Sequence, residues 1–290
     1  MAPLKRIVRL AAVMIAGAVA APAFGAEALP RHLNKMIEKL SAGQVAMTLD
    51  DWTWIDMEHG PYSIDGLQKT MFRFAEERQP NGQLKSTPLV RIPVEGPDSN
   101  IYRYMVKQVL ERGAFGVIFP RVDNVEQAQR AVKAMRFPPM PGAKIAEPRG
   151  VRGCGCFLPP TWPKMTTEEY VGNRGDLWPL NPNGELVAFM MIESGEGVKN
   201  AKALLNTPGV TGLIVAPNDL GMDIGAGPAD KWPFPAKTEE AIDTVIKVCK
   251  AEKKICGFAT TMGEVEVKKR IEQGFNFIAR SFPNVDKPYN

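Results

Sequence analysis

A (β/α)8 TIM barrel is the α/β fold class this sequence predicts, and three observations predict it. Short apolar runs recur along the 290 residues, eight in all, and charged amphipathic segments separate most of them. Most of the runs are continuous rather than alternating, as in parallel strands covered on both faces. No Gly-x-Gly-x-x-Gly turn follows any run, which disfavours the competing architecture, an open doubly wound sheet.

The expected strands cover 44–49, 53–57, 88–92, 115–119, 186–192, 211–216, 255–260 and 275–280. Helical patterns lie between them. The first, 64–77, follows a Ser63 cap; the next, 100–112, follows Asp98 or Ser99. Further helices are expected at 125–135, 198–205, 239–251 and 264–273. Gly113 in "ERGAF" and Gly274 in "EQGFN" suit the left-handed position that ends a helix. Two irregularities interrupt the rhythm. Only residues 50–52 separate the first two strands, too few for a parallel crossover. The first βα unit is therefore abbreviated, or 44–49 is not a barrel strand. The span 121–185, after its helix, is rich in Pro, Gly and Trp, and a loop of that length is expected to be functional or to form an interface.

The N-terminus reads as a targeting segment. "MAPLKRIVRL" carries Lys5, Arg6 and Arg9, and the uncharged run "LAAVMIAGAVAAPAFG" follows. A basic start, an apolar middle and a small-residue exit describe a secretory signal peptide over 1–25. Its removal leaves 26–290 as a single barrel domain, exported and expected in the periplasm. A retained anchor is the alternative; the run is short for a span and contains Pro22. The formal net charge of +4 then falls to about +1, so neither nucleic acid nor anionic lipid is expected as a partner. Cys154 and Cys156 sit in "RGCGCF", and Cys249 and Cys256 flank "KAEKKI". Export permits disulfides, the spacing suits no zinc site, and both two bridges and a pair of buried free thiols stay open.

In a barrel of this kind, working residues gather at the C-terminal ends of the strands. The run "WTWIDMEHG" ends at Met57, so Glu58 and His59 emerge at the mouth. Arg91 lies near the end of "PLVRIP", Glu193 at the end of "LVAFMMIES", and Asp219 just beyond "TGLIVAP". Each has a plain structural alternative: Asp219 could cap a short turn, and Arg91 could pair with a neighbouring Glu. Their convergence on one rim is what points to chemistry. Two carboxylates plus water suit a hard dication such as Mg²⁺ or Mn²⁺, with positions left for a substrate's oxygens. A 2-oxo acid can chelate through its carboxylate and ketone. Arg91 would help stabilise charge on that ketone oxygen, and His59 would move the proton. No lysine stands at a strand end to suggest a Schiff base.

The stretches "WIDMEHGP", "PLVRIP", "ERGAFGVIFPRVDNVEQAQRAV", "RFPPMPG…RGVRG", "YVGN", "MIESGEGVKNAKALLNTPGVTGLIVAPNDLG" and "GFAT" resemble, in order and in kind, the HpcH/HpaI class II, metal-dependent pyruvate aldolases. The resemblance implies a (β/α)8 barrel, a homo-oligomer (often a hexamer), and reversible cleavage of 4-hydroxy-2-oxo acids to pyruvate or a related 2-oxo acid plus an aldehyde. It places a divalent metal, Mg²⁺ or Mn²⁺ with Co²⁺ as a further option, on Glu193 and Asp219. Arg91 falls on the arginine that binds the oxo acid and His59 on the acid/base histidine. The backbone around Ala216, Asn218 and Asp219 falls on the stretch that receives the substrate carboxylate. Some positions depart from the pattern. Glu111 stands where an aspartate usually supports the histidine, and Met191 replaces a polar residue two places before the metal glutamate. Those departures, with the abbreviated first unit, motivate a rival reading, an exported 2-oxo acid binding or sensing protein with a degenerate site; an oxaloacetate-type decarboxylase using the same enolate chemistry is a third. A CoA-thioester lyase fits less well, because no basic adenine- or phosphate-binding motif is present.

Overall fold

A computed structural model of the chain describes residues 31–93, 99–155, 157–261 and 263–280. The expected signal peptide lies outside the described residues.

Eight strands form one sheet in which every neighbouring pair is parallel. After a short helix α1 (Lys35–Ser41) come β1 (Ala46–Met47), β2 (Trp52–Asp56), α2 (Ile64–Glu76), β3 (Thr87–Arg91), α3 (Ser99–Arg112), β4 (Gly116–Phe119) and α4 (Val125–Met135). The second half runs through α5 (Thr167–Glu169) and a π turn at Tyr170–Arg174 to β5 (Val187–Ile192), α6 (Gly195–Leu205), β6 (Gly212–Val215), α7 (Pro217–Asp223), α8 (Ala236–Glu252), β7 (Ile255–Thr261), α9 (Glu264–Gln273) and β8 (Phe277–Arg280). The order β1-β8-β7-β6-β5-β4-β3-β2 curls round so that its two edges meet at one bridge, Thr48 to Trp52. This is the predicted barrel, nearly closed.

The abbreviated first unit is real. The chain passes from β1 to β2 through a tight turn in which Leu49 has φ of 74°. Buried Asp51 ties the turn down, its carboxylate accepting from the Met47 amide at 3.0 Å and from Lys39 Nζ at 2.9 Å. The first strand is shorter than the apolar run that predicts it, since only two of its residues join the ladder. Helix starts follow their caps. Ser63 and Ser194 accept from the third residue of their helices, and Asn124 forms a capping box with Gln127. The Ser194 cap starts α6 three residues before the 198 expected from the sequence. Gly113 and Gly274 have φ of 116° and 108°, the backbone geometry that ends α3 and α9.

Inside the barrel, the rings of Trp52, Phe277 and Phe189 stack across from β2 to β8 to β5, with centroids 4.2 Å apart at each step. Because side chains alternate along a strand, this fixes which residues point inward. Trp54 and Asp56 follow Trp52 upward, and Met191 and Glu193 follow Phe189. In the long connection between α4 and β5, buried Arg136 donates to both Asp176 oxygens at 2.7 and 3.0 Å and to the carbonyls of Ile145 and Pro148. Cys249 in α8 and Cys256 in β7 form a disulfide, and no described cysteine is free. Among the described residues, no helix is long and apolar enough to cross a membrane.

Candidate active site

The mouth is built by register. Asp56 and Arg91 are partners across β2 and β3, so their inward side chains meet at the strand ends. Arg91 donates through Nε to Asp56 Oδ1 at 3.0 Å and through Nη2 to Oδ2 at 2.5 Å, a bidentate fork. Its Nη1 lies 3.0 Å from Glu58 Oε2, and its guanidinium rests 5.2 Å from the Trp54 ring. Arg91 is buried and held on two sides. The alternative of a simple ion pair is therefore partly right, although the pair sits at the mouth itself.

Asp56 also shapes the turn that follows it. Its Oδ1 accepts from the backbone amides of Glu58 at 3.0 Å and His59 at 3.3 Å. His59 is exposed, with Nε2 4.0 Å from Glu58 Oε2. Burial pushes the Asp56 carboxyl up, but the hydrogen bond and charge of Arg91 together outweigh it and hold the group below the usual carboxylate range.

Glu193 emerges just past β5, 4% exposed. Its Oε2 accepts from the Arg121 backbone amide at 2.6 Å, and Arg121 has φ of 47° at that point. Burial pushes the Glu193 carboxyl up to about 7 against that hydrogen bond, and the charges of Glu58 and Asp219 push the same way. Glu58 is likewise raised by burial, against Arg91 and His59, with Asp56 and Asp219 adding repulsion. Asp219 lies in the first turn of α7, exposed, and no side chain caps that helix. The capping alternative for Asp219 therefore fails. Ala216 is the residue before α7 and is buried; Asn218 is exposed.

The mouth therefore gathers Asp56, Glu58, His59, Arg91, Glu193 and Asp219 from four strand ends. A family model described as HpcH/HpaI aldolase/citrate lyase matches residues 35–283. The chain belongs to this family. Among its relatives, a 2-keto-3-deoxy-L-rhamnonate aldolase from Klebsiella pneumoniae is 30% identical over 233 residues, covering 79% of this chain and 73% of its own. A hydroxypyruvate/pyruvate aldolase from Agrobacterium fabrum is 27% identical over 230 residues, with the same coverages. Among solved structures, an HpcH/HpaI aldolase/citrate lyase family protein from Burkholderia cenocepacia superposes with a TM-score of 0.64 at 24% identity, covering 86% of this chain and 84% of its own. That last likeness bears on the barrel alone.

Within this HpcH/HpaI barrel, one expected member does not reach the mouth of its own chain. α3 starts after the mouth end of β3 and carries Glu111 about 20 Å back along the barrel. Phe115, four residues on, is already bonded to the carbonyl of Pro88 at the start of β3. Glu111 pairs there with Lys107 at 3.7 Å and lines an outer cavity. The carboxylate that supports the turn bearing His59 within this chain is Asp56. Sequence reasoning passed over Asp56, although its place at a strand end, three residues before the histidine, was the available signal. Met191 is fully buried below Glu193, as an apolar residue on the inward face should be.

Proposed function

We propose that the protein catalyses reversible aldol cleavage of a 4-hydroxy-2-oxo acid to pyruvate or a related 2-oxo acid plus an aldehyde, with Mg²⁺, Mn²⁺ or Co²⁺ held by Glu193 and Asp219. The observation that carries this reading is the carboxylate crowding at the mouth. Glu193 is buried, raised to about 7, and faces the charges of Glu58 and Asp219. A donor set that repels itself in this way is one a dication relieves, and two carboxylates with open positions suit a hard ion that also binds substrate.

The bound ion would supply Lewis-acid polarisation of the substrate's 2-oxo group. Arg91, locked by Asp56 and Glu58, presents a fixed guanidinium to the same oxygen and stabilises the negative charge that grows on it. The backbone from Ala216 to Asp219 receives the carboxylate and fixes the acid's orientation. His59, at the open edge, takes the proton from the 4-hydroxyl. The C3–C4 bond then breaks, its electron pair stays with C3 as the enolate, and the aldehyde leaves. Return of a proton to C3 gives the free 2-oxo acid.

We also propose a homo-oligomer of six chains, on the resemblance, and export with removal of residues 1–25, on the basic, apolar and small-residue pattern of that segment. The test of the activity is exchange of pyruvate methyl protons in deuterated water. Exchange that needs Mn²⁺ or Mg²⁺ and disappears with chelator is the expected result. Pyruvate binding without exchange would replace the aldolase with a binding protein.

A further inference from the structure

We propose that Asp223 is a positioning residue that fixes the spacing between Glu193 and Asp219, the two carboxylates given to the metal above. The inference rests on that metal-dependent reading of the mouth and adds to it a clasp that touches neither metal nor substrate.

The two acids stand on unlike supports. Glu193 follows directly on β5, a strand buried along its whole length. Asp219 stands on α7, which has seven residues and no side-chain cap. A helix that short is not stable by itself, so its place is set by what holds it. On one side Lys237 of α8 donates to the Ile224 carbonyl, just past the end of α7. Toward Glu193 the hold is Asp223, one helical turn beyond Asp219 and on the same face.

Each oxygen of Asp223 takes hold of a different element beside Glu193. Oδ2 accepts from the Gly195 amide at 2.8 Å, at the start of α6. Oδ1 accepts from Arg121 Nη2 at 2.7 Å, and the backbone amide of the same Arg121 donates to Glu193 Oε2 at 2.6 Å. Arg121 Nε also lies 3.9 Å from Asp123 Oδ2, and Asp123 accepts from the hydroxyl of Ser194. Arg121 takes φ of 47°, a conformation an arginine keeps only where its surroundings enforce it. One carboxylate thus joins the segment after β4, the start of α6 and the end of α7. Every one of these bonds lies within one chain, so the clasp needs no neighbouring subunit.

The need for it is electrostatic. The charge of Asp219 bears on Glu193 unfavourably, so the two acids repel before an ion arrives. A metal site works only where its ligand distances hold to within about 0.2 Å. A tether on α7 keeps Asp219 from yielding to that repulsion. An ion pair as exposed as Arg121 and Asp223 adds little to overall stability, so the clasp should show in metal affinity and not in unfolding.

The test is Mn²⁺ titration, followed by electron paramagnetic resonance, of wild type, Asp223→Ala, Arg121→Gln and the double variant, with urea unfolding of each. Asp223→Ala should bind Mn²⁺ at least about tenfold more weakly. Arg121→Gln should show part of that loss, and the double variant should be no weaker than Asp223→Ala, because both side chains act through one clasp. All urea midpoints should match wild type. Wild-type affinity in Asp223→Ala, losses that multiply in the double variant, or a lowered urea midpoint in Asp223→Ala would each overturn the clasp and leave the metal reading standing. A wild-type protein that binds no Mn²⁺ would remove that reading and the clasp with it.

Discussion

At the mouth, Asp56 and Glu58 hold Arg91, while buried Glu193 feels the charges of Glu58 and Asp219. A second region shows what balance looks like. Arg270, fully buried between α8 and α9, meets Glu239 through two hydrogen bonds of 2.8 Å and Glu266 at 3.2 Å, and stacks on Phe258 at 4.5 Å. Nothing there asks for a ligand. Buried charge that is fully matched inside the chain holds the fold, and buried charge left over marks a place for something from outside.

The variants that would break this contrast differ in size. Glu193→Ala or Asp219→Ala should remove metal-dependent cleavage, a loss of at least about a thousandfold measured as kcat with saturating Mn²⁺. Normal turnover in a folded variant would remove the mechanism. Arg270→Ala should cost about 3–5 kcal/mol in urea unfolding, because buried Glu266 loses its bond to the guanidinium and Glu239 keeps only Lys269 of its two cations. A loss below about 1 kcal/mol would mean that the matched cluster contributes little.

Asp56→Asn should lower kcat/KM by about 10–100-fold while leaving the fold intact, since it weakens the fork on Arg91 and the turn bearing His59. Unchanged kinetics would show that Glu58 alone suffices to hold Arg91. The smallest effect concerns pH. Burial raises the Glu239 carboxyl, but hydrogen bonds and charge from Arg270 and Lys269 outweigh it and leave it below its usual value. Its contribution to stability is therefore complete above the unfolded-state pKa and is lost as pH falls through the lower, folded-state value. The stability gap between wild type and Glu239→Gln should shrink on acidification below about pH 4.5, read from urea midpoints.

Much of this arrangement was legible in the sequence, for a physical reason. Parallel strands covered on both faces are continuous apolar runs, and a polar residue that ends such a run falls at a barrel rim. Arg91, Glu193, Asp219 and His59 all announce themselves in that way. What was hidden depends on register and on length. Asp56 and Arg91 are 35 residues apart, and only the alignment of β2 with β3 makes them a pair. Glu111 depends on length instead: the resemblance sets it beside the histidine, and within one chain the 14 residues of α3 carry it to the other end. Two short helices, α1 and α7, escaped as well, because seven residues of helix are stabilised by what they pack against rather than by their own pattern. Arg136 and Arg152 stand in the matched stretch "RFPPMPG…RGVRG", but nothing in that match told of their burial. An arginine in a Pro- and Gly-rich stretch looks solvated until the fold buries it.

The central claim is that the excess negative charge at the mouth is a dication's site, and manganese binding tests it directly. The free Mn²⁺ signal in electron paramagnetic resonance, followed as the protein is added, should show one ion bound per chain. In Glu193→Gln/Asp219→Asn, binding should weaken by at least about tenfold. A wild-type protein that binds no manganese, or a double variant that binds it as tightly as wild type, would contradict the account.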